Sequence, residues 1–307
     1  MMDALATLAA ASIAAGTPLL LAAVGILVHE RTGVVNLGVE GMMLLAAIVA
    51  FAVTHGSGSH ALGFGAGALA GAGLAAVFAF FALVLHANQY AAGLAIALLG
   101  AGASAFIGLP YSGEGLPARG TDGIAVLRDL PVLGPILFGH HLLVYFALLL
   151  VLAVAWFLFR TRAGLVLRAV GESPESAHAL GIPVRGVRLA ALLFGGACAG
   201  LAGAYLATVY TPLWAENMTA GRGWIALALV VFATWRPARV LIGAYLFGGV
   251  TMLQLYLQGI GVQAPSQLMS MAPYLATIVV LALISRNPRW IRLNMPASLG
   301  KPFNPNA

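Results

Sequence analysis

"HERTGVVNLGVEGMMLL" occupies residues 29–45 and sets two carboxyl groups, one arginine and three glycines beside long apolar runs. From Gly41 to Gly113 there is no Asp, Glu, Lys or Arg, and Ala4–Val28 on the other side is equally free of them. Three more stretches behave the same way: Leu130–Phe159, Leu189–Ala215 and Val240–Ser285. A membrane-crossing helix needs roughly 20 apolar residues, and each of these gaps can hold at least one. Only 8% of the 307 residues are charged, against roughly 25% in soluble domains. Such a chain cannot cover a water-facing surface. The sequence therefore predicts an all-α polytopic membrane protein of about 8–10 transmembrane helices.

The hydropathy pattern places spans near 4–28, 33–54, 62–86, 91–110, 140–159, 189–210, 223–235, 239–258 and 271–285. The span at 223–235 is short, and the segment around 33–54 has enough glycine to be broken or re-entrant. The start "MMDALATL" lacks a basic region, so residues 4–28 are expected to be a retained span. Transmembrane proteins concentrate Lys and Arg in cytoplasmic loops. Placing 160–188 and the tail 286–307 inside puts twelve of the fifteen basic residues there, including Arg31, Arg236 and Arg239. The N-terminus is then outside and the C-terminus cytoplasmic, with 1–285 as the transmembrane domain and the longest external loop near 111–139. The net charge of +6 is spread over short loops and gives no sign of nucleic-acid binding. Gly63, Gly67 and Gly71 repeat every four residues, as do Gly196 and Gly200. Small residues at this spacing let helix backbones approach closely in lipid.

The loop "RTRAGLVLRAVGESPESAHALGIPVRGVR" at 160–188 contains its own helix signals. Ser173 is an N-cap, Pro174 suits the first turn, and Glu175 complements the helix dipole. Gly181 and Pro183 end the helix after about two turns. So short a helix is marginal alone in water. It is expected either to cover the bundle's own inner face or to dock a cytoplasmic protein. The chain itself carries no phosphate-binding loop, because its one lysine, Lys301, sits in "LGKPF". It also lacks a nucleophile–base or metal-ligand constellation, and a metal site at His140 and His141 is not expected without a third ligand. No cofactor is expected, and any ATPase must be another polypeptide.

Four motifs in order carry a resemblance. Residues 17–47, with "ERTGVVNLGVEGMM", resemble the opening signature of ABC-importer permeases of the nucleoside and simple-sugar group. "ANQYAAGLAIALLGAGASAFIG" at 87–108 resembles that group's second conserved span. "GESPESAHALGIPV" at 171–184 resembles its cytoplasmic coupling segment, and "GRGWIALALVVFATWRP" at 221–237 its G-R-G-[FW]-I-A-L-A block. The form of the first motif is similar to the nucleoside branch. Tyr90 in place of a smaller residue, and the lack of an asparagine in "AIALL", depart from that branch. The resemblance implies a permease bundle in a bacterial inner membrane that forms the path for a nucleoside or related ribose-containing solute. It implies partners too: a separate ABC ATPase, a homologous second permease, expected as a heterodimer, and a periplasmic or lipid-anchored binding protein. A simple-sugar or branched-chain amino-acid cargo, or a stand-alone carrier or channel, are the alternatives. The coupling contact would fall on Glu172, Ser173, Pro174, Glu175, Ala177, Leu180 and Gly181.

If Val34–Ala50 is one helix, Asn36 and Glu40 share a face. Glu40 cannot face lipid cheaply. It is expected either on the translocation path with Asn36 or in a structural network with Glu30, Arg31 and Asn36 that ties the first two spans. Asn88 and Gln89, at the start of a span, are further path candidates. Trp214, Trp224, Trp235 and Trp290 are expected in the interfacial aromatic belts.

Overall fold

The computed structural model describes residues 2–117, 134–261 and 294–304, with 271, 272, 274, 275, 278, 279 and 282. Within these, the helices are α1 (Met2–Glu30), α2 (Val39–Ser57), α3 (His60–Ala79), α4 (Gln89–Gly108), α5 (Leu142–Arg160), α6 (Arg162–Glu172), α7 (Pro174–Ala179), α8 (Val184–Tyr205), α9 (Arg222–Phe232) and α10 (Pro237–Gly259). A π-turn at Phe80–Val84 lengthens α3, and another at Leu206–Tyr210 lengthens α8. Among the described residues, seven helices are long and apolar enough to cross a membrane: α1–α5, α8 and α10. Eight of the nine predicted spans correspond to these seven and the shorter α9. Most of the predicted ninth span, 271–285, lies outside the described residues, and so does 118–133 of the predicted external loop.

α1 is the axis of the bundle. Leu19 to Leu27 are almost wholly buried on every side, which is why the helix is apolar all round and not amphipathic. α8 crosses it through glycine, since a Cβ on Gly25 would lie 2.8 Å from the carbonyl oxygen of Gly195. The glycine repeats read from the sequence meet one another. A Cβ on Gly71 would lie 2.2 Å from the Gly196 oxygen, and one on Gly200 would lie 2.2 Å from the Gly67 oxygen. α3 and α8 therefore pack backbone to backbone, the close approach that favours association where apolar burial gives no advantage over lipid. Cys198, on α8, is buried against Gly25 of α1.

Two elements start partway through the bundle. α2 begins only at Val39, because residues 31–38 form turns and irregular backbone. α2 then runs parallel to α4: Gly41 abuts Ala97, and Ser104 Oγ donates to the Leu44 oxygen at 3.0 Å. Ala97 lies eight residues into α4, so Glu40 sits about 12 Å from the end of the bundle that holds Gln89. α9 starts at this same depth and runs back toward that end, where Trp235 meets Glu30. The irregular stretch 211–221 leads down to α9 from the opposite end, where Trp214 packs on Gly108. Non-helical backbone at membrane depth is tolerated only when buried in protein or lining a watery cavity. Residues 31–38 are buried in the chain apart from the half-buried Leu37, whereas Asn217 and Ala220 are exposed.

Candidate functional site

The starts of α2 and α9 converge on one side chain. Glu40 Oε1 accepts from Thr219 Oγ1 at 2.5 Å and from Gly221 N at 2.9 Å; Oε2 accepts from Gly223 N at 2.6 Å. Gly221 caps α9 with no side chain of its own. Glu40 therefore supplies, from a different helix, the acceptor that an N-cap residue normally provides. It also stands in the first turn of α2, so the positive ends of two helix dipoles share one carboxyl group. Gly223 is required by this approach, as a Cβ there would lie 2.6 Å from Glu40 Cα.

Glu40 is 8% exposed, and its exposed edge lines a cavity of about 280 Å³ with Leu98, Ala101, Asn217, Ala220 and Trp224. Asn217 and Ala220 hold φ of +54° and +47°, a left-handed backbone uncommon for side chains other than glycine. The cavity thus offers a carboxyl edge, an amide and an indole on a wall at mid-depth. It opens beside Leu98 and Trp224, on an exposed face of the chain.

The other predicted path residues lie apart from this cavity. Asn36 falls in the irregular segment, so it shares no helix face with Glu40. Its Oδ1 accepts from Gly38 N at 2.8 Å and its amide points to Met42 Sδ, leaving it 1% exposed. Asn88 caps α4, accepting from the backbone of Tyr90 and Ala91. Gln89 is buried, and its Oε1 accepts from Val35 N at 2.9 Å. The sequence reading missed Thr219, Gly221 and Gly223 as Glu40's partners. The signal was present in "TAGRG", whose small residues and missing cap leave a helix start open to an outside acceptor.

The second cluster lies at the arginine-rich end. Glu30 Oε2 accepts from Trp235 Nε1 at 2.6 Å, and Arg31 donates to the Trp235 oxygen at 2.9 Å and the Asn294 oxygen at 3.1 Å. These residues tie α1 to α9 and to the C-terminal segment rather than to α2. Burial pushes the Arg31 guanidinium down to about 10, with Arg168 and Arg236 adding to the effect and Glu172 opposing it; it remains charged at neutral pH. Trp235, 1% exposed, belongs to the core rather than an aromatic belt, and Trp214 is likewise buried. Indole N–H groups need partners once buried, and Glu30 provides one for Trp235.

The loop 160–188 folds as two short helices. Ser173 Oγ accepts from Ser176 N at 3.2 Å, Pro174 opens α7, and Gly181 follows at φ +80°. Pro174 and Ala177 face inward, whereas Glu172, Glu175 and Leu180 face out. Leu180 is 81% exposed, a large apolar side chain that nothing among the described residues covers.

Comparison with known proteins agrees with this architecture. Residues 8–285 match the family described as branched-chain amino acid transport system / permease component. A putative glucose ABC transporter permease of Haloferax volcanii is 43% identical over 96% of this chain and 96% of its own. A nucleoside ABC transporter permease of Lactococcus lactis is 34% identical over 87% of this chain and 88% of its own. A guanosine ABC transporter permease of Bacillus subtilis is 34% identical over 88% of this chain and 89% of its own. No solved structure matches the chain. A helical bundle with seven membrane-length helices among the described residues, a capped helix pair at its arginine-rich end and this family match belong together: the chain is a multi-pass membrane protein of the ABC-transporter permease family, a transport subunit that works with an ATPase and a substrate-binding protein.

Proposed function

We propose that this chain forms one wall of an import path for a nucleoside or a related ribose-containing solute, and that a second, homologous permease forms the opposite wall. The observation that carries the reading is the exposed Asn217, on the irregular stretch before α9, beside the Glu40 edge at mid-depth. Ala220 N donates to the Asn217 oxygen at 2.9 Å and the Ala220 oxygen accepts from the Tyr274 hydroxyl at 3.2 Å; what faces outward is the exposed Asn217 amide beside the Glu40 edge, polar groups that lipid cannot satisfy and that a second subunit or a column of water covers. The indole of Trp224 offers a stacking surface, and Asn217 and the Glu40 edge offer polar contacts to hydroxyl groups. Two relatives named for nucleoside or guanosine transport favour this cargo. The relative named for glucose favours a monosaccharide as the second reading; both solutes present a ring of hydroxyls.

The arginine-rich end, where Arg31, Arg168, Arg188 and Arg236 gather, faces the cytoplasm under the positive-inside rule. The ATPase subunit, which hydrolyses the ATP, docks there on the outward face of α7, through Glu172, Glu175, Leu180 and the turn at Gly181. Ser173, Pro174 and Ala177 hold that face in shape. The test is reconstitution of the chain with its ATPase, second permease and binding protein in proteoliposomes. ATP-driven uptake of labelled guanosine over glucose is the expected result. Uptake of glucose alone would transfer the assignment to the monosaccharide. Ion-gradient-driven uptake by the purified chain alone would overturn the reading.

A further inference from the structure

We propose that residues 294–304 act as a strap that carries movement of α7 to the segment 31–38, and through it to Glu40. The inference rests on the reading of α7 as the ATPase dock.

The sequence gives no reason to expect more than a solvated tail here, yet Ser298 and Phe303 are buried. Ser298 N donates to the Gly171 oxygen at 3.0 Å, and its hydroxyl donates to the same oxygen at 2.7 Å. Arg188, itself buried on α8, donates to Ser298 Oγ at 3.3 Å and to the Thr32 oxygen at 3.1 Å. Phe303 joins Val170, Ala177 and Val184 in a separate small core, and its ring packs edge-on against His178 of α7 at 5.6 Å. The strap therefore grips the α6–α7 pair through Ser298 and Phe303. Between these two, Gly300 N donates to the Gly33 oxygen at 2.9 Å, and the Lys301 oxygen accepts from Gln89, whose Oε1 holds Val35 N. Gly33 permits this contact, because a Cβ there would collide with Ser298 Oγ.

Both elements joined by the strap lack internal stability. α7 has six residues, too few to persist alone. Segment 31–38 has no helical ladder. Thr32, Gly33 and Val35 are fixed by groups of α8, the strap and α4, so its position follows its neighbours. Pro296 and Pro302 restrict the strap's backbone, which makes it stiff enough to transmit displacement. Three residues beyond the held Val35, Gly38 opens α2 and Glu40 follows.

The test uses the complete transporter, with its ATPase and second permease, in lipid nanodiscs. Hydrogen exchange is measured over 173–183 and over 31–40, nucleotide-free and trapped with ATP and vanadate. In the unmodified protein both segments change on trapping. In the Ser298→Ala/Phe303→Ala variant the response of 173–183 persists, while that of 31–40 falls by about two- to thirtyfold. Phe303→Leu, which keeps the apolar packing, restores most of the response. Phe303→Ala alone gives a milder loss and serves if the double variant fails to assemble with the ATPase. Full transmission in both alanine variants would make the strap a passive plug and overturn the proposal. If 173–183 does not respond to nucleotide in the unmodified protein, the dock reading fails and the strap falls with it.

Discussion

Replacing Glu40 with Gln tests whether one carboxyl group joins the two broken spans. The substitution keeps size and shape but converts one oxygen into an amide donor. In either orientation that NH2 group faces at least one N–H or O–H donor among Thr219, Gly221 and Gly223. At least one hydrogen bond is lost, and those remaining drop from charge-assisted strength, about 1.5–3 kcal/mol each, toward about 1 kcal/mol. Loss of charge at two helix starts adds about 0.3–1 kcal/mol at each. The expected destabilisation is about 3–5 kcal/mol, a large share of the roughly 5–15 kcal/mol that holds a typical domain. The assay is reversible unfolding in bicelles, run as a cycle with Thr219→Val. Each variant alone should destabilise, and the pair should couple by more than about 1 kcal/mol. Exchange protection should fall first in α9. A Glu40→Gln protein with unchanged midpoint, or a cycle that is additive within about 0.5 kcal/mol, would refute the junction.

Trp235→Phe strips Glu30 of its described donor while keeping most of the ring volume; a loss of about 2–4 kcal/mol is expected in the same unfolding assay, whereas Glu30→Gln should cost under half as much. Gly200→Leu forces side-chain atoms into the backbone of α3, and a drop of several kcal/mol, or failure to form the compact bundle in protease-resistance assays, is expected. Leu180→Asp, at an exposed position, should change stability by no more than about 0.5 kcal/mol yet abolish copurification with the ATPase; retention of the ATPase would remove Leu180 from the dock. Gly181→Val imposes a branched side chain at φ +80° and should weaken transport-coupled ATPase activity while membrane insertion, read by fractionation, stays normal.

Much of the bundle was readable because lipid leaves the chain few options. With no water to satisfy peptide groups, apolar runs must become helices, and seven of the described ones did so, α2 starting six residues later than expected. Glycines four apart had to lie on one helix stripe, and Gly71 met Gly196 and Gly200 as that spacing implied. Capping is equally local, so Ser173, Pro174 and Gly181 marked α7 before any fold was known. The partners of polar residues were harder to read. Asn36 and Glu40 looked like neighbours at helical spacing, but the break at 31–38 turned Asn36 onto Gly38 and sent Glu40 to residues some 180 positions away. Trp235 looked interfacial by its place near a span end, and Glu30 drew it inward.

What the amino-acid order determined alone was membrane residence, helix content, the glycine seams and the capped helix α7, since each depends on burial in lipid or on hydrogen bonds within a few residues. What only the tertiary structure decided was which chain segments answer the orphaned polar groups: Glu40 for the start of α9, Trp235 for Glu30, and the C-terminal strap for Gly33 and Gly171. Those pairings bridge distant parts of the chain, and their geometry exists only once the helices have packed, because a buried donor takes whichever acceptor the packed backbone brings within about 3 Å.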